Sequence, residues 1–159
     1  NSGVALLAVI MAAAGEFVEP AAIVSLAVPF AFAGSLATAL GDTLSSEIGC
    51  LYDRPRLITT LERVEPGTDG AVTWQGELAG LVGIGIISAL ATATLPLGPG
   101  GSTTSLAAAI VAAGGFAGIT TDSILGATIE GDRLGNQLVN LCATLTGGGV
   151  SVAFAVVLL

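Results

Sequence analysis

Few residues in this chain can do chemistry, and several of them interrupt apolar sequence. Asp42, Glu47 and Asp122 lie within or at the ends of apolar runs, and Glu130 lies just beyond one. A carboxylate at mid-membrane costs about 2.5–3.5 kcal/mol on insertion scales, so a chain built of such runs keeps one mainly for use. On a helix, Asp42 and Ser46 share a face at i,i+4, as do Thr43 and Glu47. Asp42 and Glu47 are five apart and stand about 140° apart around the axis. One helix offers both to a single ion only if it breaks or bends at Gly41 or Gly49. Asp122, from a neighbouring helix, completes a candidate metal set of Asp42, Glu47 and Asp122. Oxygen ligands without His or Cys suit a hard cation, Mg²⁺ above all. The competing reading pairs these acids with Arg54, Arg56 or Arg133 at the membrane interface.

The loop 50–76, with Asp53-Arg54-Pro55-Arg56-Leu57-Ile58-Thr59-Thr60 and then Val64-Glu65-Pro66-Gly67-Thr68-Asp69-Gly70-Ala71-Val72-Thr73, holds three of the four arginines, Arg54, Arg56 and Arg63. Its Gly, Thr and Asp residues can turn backbone amides toward an anion. Arginines beside carboxylate-held Mg²⁺ are what phosphoryl transfer requires. No Walker A motif is present, so this is not a P-loop site. The plainer alternative is a positive anchor built of ordinary turns. Asn136 and Asn140 are i,i+4 neighbours beside Gln137; their amides suit either a headgroup or a bond to the next helix. Trp74 fits an interfacial anchor better than a stacking platform. Cys50 and Cys142 show no CxxC spacing and read as small buried apolar residues.

The elements that must position these groups are apolar. Of 159 residues, 53% are hydrophobic and 10% charged, and the mean hydropathy is +0.91. A soluble domain usually carries about 25% charged residues, so the expected solvent is the lipid bilayer and the expected fold is all-α, a polytopic transmembrane bundle in one domain over 1–159. The formal charge is −8, with no Lys and no His. That excess excludes a nucleic-acid partner, since there is no basic stripe, and points to a salt-loving (halophile) source. Abundant Gly and Ala let helix backbones approach closely, and such faces also allow a homo-oligomer.

Five apolar stretches follow one another: 1–14, 21–40 with a mixed continuation to Gly49, 77–97, 103–129 and 138–159. Both ends of the chain lie inside apolar runs, the pattern expected of a truncated chain, and no positive region marks residues 1–14 as a signal peptide. The last four stretches are long enough to cross a core of about 30 Å. Arg54, Arg56 and Arg63 in the loop 50–76, and Arg133 in 130–137, sit two crossings apart and so share a side, which the positive-inside rule makes cytoplasmic. A faint repeat relates Gly34–Leu44 to Gly114–Ile124, 80 residues later; duplication and chance in a Gly/Ala-rich chain both account for it.

Taken in order, Gly41–Gly49, Pro55–Thr60, Pro66–Thr73 with Gly76, and Asp122–Thr128 with Asn136, Val139 and Asn140 resemble the transmembrane-protein-nineteen family (domain of unknown function ninety-two). The likeness spans about Gly34 to Gly148. It departs at Asp69-Gly70-Ala71, where the family usually has Asn-Gly-Gly. The resemblance implies a membrane-embedded kinase like the plant phytyl-phosphate kinase, which makes phytyl diphosphate with a nucleoside triphosphate, preferably CTP. On that reading Asp42, Arg54, Arg56 and Asp122 are catalytic. Thr43, Ser46, Thr59, Thr60, Gly67, Thr68, Gly70, Ser123, Asn136 and Asn140 contact substrate or nucleotide. Mg²⁺ is the cofactor and an isoprenoid phosphate the substrate. An ion-coupled transporter, with its carboxylates near the midplane, and a non-catalytic membrane subunit are the alternatives.

Overall fold

The computed structural model describes residues 3–15, 22–97, 102–129 and 135–159. These form five helices, α1 (Gly3–Gly15), α2 (Ala22–Gly49), α3 (Trp74–Thr94), α4 (Ser102–Thr128) and α5 (Asn136–Leu158), and two short strands, β1 (Arg56–Leu57) and β2 (Ala71–Val72). Four helices among the described residues are long and apolar enough to cross a membrane: α2 to α5. The 13 residues of α1 reach only about 20 Å, and this helix packs against α2 and α5. Glu130 and Arg133 lie outside the described residues.

Inside a bilayer every backbone polar group must be satisfied within the chain, and the helix is the one open-chain solution. Hydroxyls follow the same rule here. Thr38 donates to the Gly34 carbonyl at 2.9 Å, Ser88 to Ile84 at 2.8 Å, and Thr121 to Ala117 at 2.8 Å. The ends have local causes. Thr73 caps α3, its hydroxyl accepting from the Gly76 amide at 3.1 Å, so α3 begins at Trp74 rather than near Glu77, and the loop is 50–73 rather than 50–76. Leu95 is extended, as a residue before proline prefers. Trp74, at the first position of α3, is 72% exposed. Helix α2 runs unbroken through Gly41 to Gly49.

Helices α2 and α4 form the centre; α3 and α5 each pack on both of them. Glycine makes the approach close. A Cβ at Gly34 or at Gly114 would lie 2.5 Å from the Gly147 carbonyl oxygen and closer still to Ser151 Oγ. On the α3 side, Ile84 presses against Gly41 and Gly115. Gly80 of α3 faces the Gly41 carbonyl, and Gly76 faces the Ser45 carbonyl at 2.6 Å from its would-be Cβ. Phe30, Ala33, Ala37, Ile84, Ala107, Ile110, Val111 and Ile119 belong to the resulting core.

The polar loop folds back on the helix ends. β1 and β2 pair antiparallel, Arg56 opposite Val72 and Leu57 opposite Ala71, a small sheet added to the all-α expectation. Two turns close it. The Thr68 amide donates to the Glu65 carbonyl around Pro66-Gly67, and the Ala71 amide to the Thr68 carbonyl around Asp69-Gly70. Gly67 and Gly70 have φ of +88° and +71°, the conformation that the third residue of a type II turn requires.

Because close approach rather than hydrophobic exclusion holds these helices, Gly34→Ala should lower thermal stability in detergent by about 1–3 kcal/mol, the cost of overpacking. A Cβ at Gly149 meets nothing within 4 Å, so Gly149→Ala should be neutral or stabilise by about 0.5 kcal/mol through helix propensity. Thermal unfolding of both variants in one detergent checks the pair.

Candidate functional site

Helix α2 presents Asp42, Ser45, Ser46 and Gly49, spaced i, i+3, i+4 and i+7, along one face. Helix α4 presents Ile119, Asp122 and Ser123 by the same rule. Those two faces, with Asn136 from the start of α5 and with Cys50, Tyr52, Pro55 and Pro66–Thr73 of the loop, line a cavity of about 210 Å³. Its walls come from the end of α2, the cap of α3, the late part of α4 and the beginning of α5. The site therefore sits at one end of the bundle, under the folded loop.

Its centre is a pair of carboxyl groups. Asp42 and Asp122 are half-buried, and their side chains lie within hydrogen-bonding reach of each other. Two carboxylates facing one cavity invite a shared cation, because two bare negative charges so close repel. Among the described residues no third Asp, Glu, Cys or His groups with them. The expected three-carboxylate set is not assembled: α2 does not break, so Glu47 stays on the opposite side of the helix from Asp42, exposed and outside the lining. The donors that do converge are oxygens, two carboxylates with the hydroxyls of Ser45, Ser46 and Ser123 in the same wall. That oxygen set suits a hard divalent cation; the Cys50 thiol also lines the cavity, with no second thiol or imidazole beside it in the lining.

The loop contributes backbone rather than basic side chains. The amides of Gly67, Asp69 and Gly70 donate to no backbone carbonyl among the described residues, and all three residues line the cavity. Gly70 is also where the loop seats on α4: a Cβ there would lie 2.5 Å from the Ser123 carbonyl oxygen and against the Ala127 backbone.

Eight of the sequence-derived candidates meet at the cavity: Asp42, Ser46, Gly67, Thr68, Gly70, Asp122, Ser123 and Asn136. Arg54, Arg56, Thr43, Thr59, Thr60, Glu47 and Asn140 do not line it. The reasons are local. Thr43 donates to the Ala39 carbonyl of its own helix. Arg56 extends from β1 and donates to the Leu61 carbonyl, so its guanidinium closes the 56–63 segment. Asn140 bonds Asn136 along α5. Arg54 is exposed, with φ of +72°, between Tyr52 and Pro55 of the lining. Ser45, Tyr52, Asp69 and Thr73 were not anticipated. Ser45 follows Asp42 by three residues, so the face rule that selects Ser46 selects it too; Asp69 reads in sequence only as a turn residue. Cys50 is exposed and lines the cavity, and Cys142 is half-buried, so the buried reading of the pair is corrected for Cys50, which stands past the end of α2.

Four apolar helices with paired carboxyls meeting under a polar loop define a polytopic helical membrane protein with its site at one end of the bundle. The chain belongs to the integral membrane family DUF92, whose profile matches residues 1–148. It is 43% identical over 126 residues to an uncharacterised membrane protein of Methanocaldococcus jannaschii, covering 76% of this chain and 49% of that one. It is 41% identical over 108 residues to Protein PGR of Arabidopsis thaliana, covering 61% and 36%. It is 32% identical over 126 residues to Protein VTE6, chloroplastic, of the same plant, covering 76% and 36%. The chain thus spans about half or less of the length of these relatives. No solved structure matches it.

Seating of the loop is testable. Gly70→Ala should loosen it, raising amide exchange across 56–72 by at least about tenfold, because the added Cβ meets α4 backbone. Gly67→Ala adds its Cβ to open space and should cost only the left-handed strain of about 1–2 kcal/mol, leaving exchange at 71–72 protected. Hydrogen exchange read by mass spectrometry separates the two.

Proposed function

We propose that this chain carries the site of a membrane-embedded kinase that transfers a phosphoryl group from CTP to an isoprenoid monophosphate of the polyprenyl or phytyl type. The observation that carries the reading is the meeting of Asp42 and Asp122 beneath the 66–73 loop. Family membership supports it, since the family includes the plant phytyl-phosphate kinase and VTE6 is among the relatives.

In the reaction, an oxygen of the isoprenoid monophosphate attacks the γ-phosphorus of CTP. The bond from that phosphorus to the bridging β–γ oxygen breaks, CDP leaves with the electron pair, and an isoprenoid diphosphate remains. The nucleophile is already anionic, so no general base is needed; positioning and charge stabilisation are the whole task. Asp42 and Asp122 would hold Mg²⁺, which when bound neutralises phosphate oxygens. The amides at Gly67–Gly70 and the hydroxyls of Thr68 and Ser123 would orient phosphates. Arg54, adjacent in sequence to Pro55 of the lining, would be the arginine that engages a phosphate. Ile119, Pro55 and Pro66 supply apolar wall that limits water. A lipid tail would lie along the helices with its phosphate at the cavity, on a side of the membrane we assign to the cytoplasm from the loop arginines.

The transporter alternative asks for carboxylates near mid-membrane. Asp42 is seven residues from the end of α2 at Gly49, about 10 Å along the axis, which favours chemistry at the rim.

A phosphotransfer assay in nanodiscs with CTP and geranylgeranyl phosphate tests the reading. Asp42→Asn and Asp122→Asn should each lower diphosphate formation by about 10²-fold, the usual cost of one transition-state charge contact. Arg54→Gln should cost about tenfold, and Glu47→Gln should stay within about threefold of wild type. Equal product from wild type and Asp42→Asn would overturn the proposal.

A further inference from the structure

The two carboxyls sit on matching frames. On α2, Gly34, Thr38 and Asp42 are spaced i, i+4, i+8; on α4, Gly114, Gly118 and Asp122 repeat that spacing. The match is spatial as well as sequential. Gly34 and Gly114 bear on the same atoms of α5, since a Cβ on either would lie 2.5 Å from the Gly147 carbonyl oxygen and against Ser151 Oγ. Helix α5 thus meets α2 and α4 in equivalent ways, and a Cβ at Gly147 would stand 2.9 Å from the Gly34 carbonyl oxygen and 3.2 Å from that of Gly114.

The frames differ at one level. Where α2 has Thr38, α4 has Gly118. Thr38 is 1% exposed, and its side chain fills the space that a Cβ at Gly118 or at Gly147 would need. A Cβ at Gly118 would lie 2.8 Å from Thr38 Cβ and 2.5 Å from its Cγ2. Rotation about χ1 moves Cγ2 but not Cβ, so no rotamer of Thr38 relieves the overlap. Carbon atoms want about 3.5 Å or more, so extra volume at this level must part the helices.

We propose that Thr38 is a positioning residue: a single threonine side chain, set between α2, α4 and α5 against Gly118 and Gly147, fixes the separation of α2 and α4 and so holds Asp42 against Asp122 one turn below. The spacer works by volume rather than by hydrogen bonding, because its hydroxyl is spent on the Gly34 carbonyl of its own helix. It can stand on either wall, because the frames are equivalent. A threonine at position 118 would have the Gly114 carbonyl four residues back, as Thr38 has that of Gly34. The inference rests on the carboxylate-pair reading for its link to cation binding, but its geometric content stands apart from that reading.

Two readouts on the same variants test it. The first is Mn²⁺ alone, titrated by electron paramagnetic resonance into protein in nanodiscs. The second is the rate of disulfide formation between positions 42 and 122 in Asp42→Cys/Asp122→Cys, with Cys50→Ser and Cys142→Ser as background; it needs no metal. Gly118→Ala should weaken Mn²⁺ binding by about tenfold or more, since shifts near 1 Å at a site cost up to about 10²-fold. It should slow cross-linking by a similar factor. The exchange Thr38→Gly/Gly118→Thr should restore both to within about threefold, and Thr38→Val, which keeps the volume, should leave both near wild type. A merely structural residue gives no recovery on exchange. If Gly118→Ala does not fold, Thr38→Val and the exchange still decide: loss of cross-linking in either overturns the proposal. Unchanged cross-linking in a folded Gly118→Ala also overturns it. If wild type takes up no Mn²⁺ that Asp42→Asn abolishes, the metal reading fails while recovery of cross-linking by the exchange still upholds the spacer.

Discussion

Two helices in lipid gain nothing from hydrophobic exclusion, so α2 and α4 stay together only through how closely their backbones and small side chains fit. Everything at the site depends on that fit. Gly34, Gly114 and Gly147 let three helices approach until Thr38 and Ser151 fill the space beside those glycines. The same approach carries Asp42 and Asp122 into reach of each other. The chain accepts a cost for it: Ser151 is fully buried, and its hydroxyl has no hydrogen-bond partner among the described residues, a loss of about 1–3 kcal/mol relative to a satisfied group. Glycine itself is a poor helix former. Both costs are tolerable in a bilayer, where the alternative to a helix is a set of unsatisfied amides.

The loop solves a second problem. A cavity at the end of the bundle needs a cover of fixed shape. Residues 50–73 supply one with a two-stranded sheet, two glycine-bearing turns and a bond from Arg56 to the Leu61 carbonyl. Seating Gly70 on the Ser123–Ala127 turn of α4 ties the lid to the helix that carries Asp122. Lid and carboxyl pair are therefore one mechanical unit. On the proposed reading, the division into apolar helices below and polar loop above matches a ligand with a charged head on an apolar tail.

How much of this was legible in the residues alone depends on the range of the interaction involved. The four long apolar helices follow from hydropathy and chain order, whereas the start of α3 at Trp74 is set by the Thr73 cap rather than by hydropathy. Pro66-Gly67 and Asp69-Gly70 announce turns, and i,i+4 spacing puts Ser46 beside Asp42. The faint 80-residue repeat, equally readable as chance, matches a spatial equivalence of α2 and α4 about α5. The destinations of long side chains were not legible. Arg56 and Glu47 carry the right charge for a phosphate and a metal, but one folds onto a loop carbonyl and the other leaves an unbroken helix on its outer face.

The sequence by itself determined that this chain belongs in lipid, that its carboxylates at 42 and 122 would lie on the face of a helix, and where its turns fall. These are local or one-dimensional properties, set by side-chain transfer energy and by backbone preference. Only the tertiary structure decided that Asp42 and Asp122 meet, because that depends on the distance between two helices. That distance is set by atoms at Gly118, Thr38 and Gly147, residues from three separate helices, whose packing no spacing rule along one helix can express.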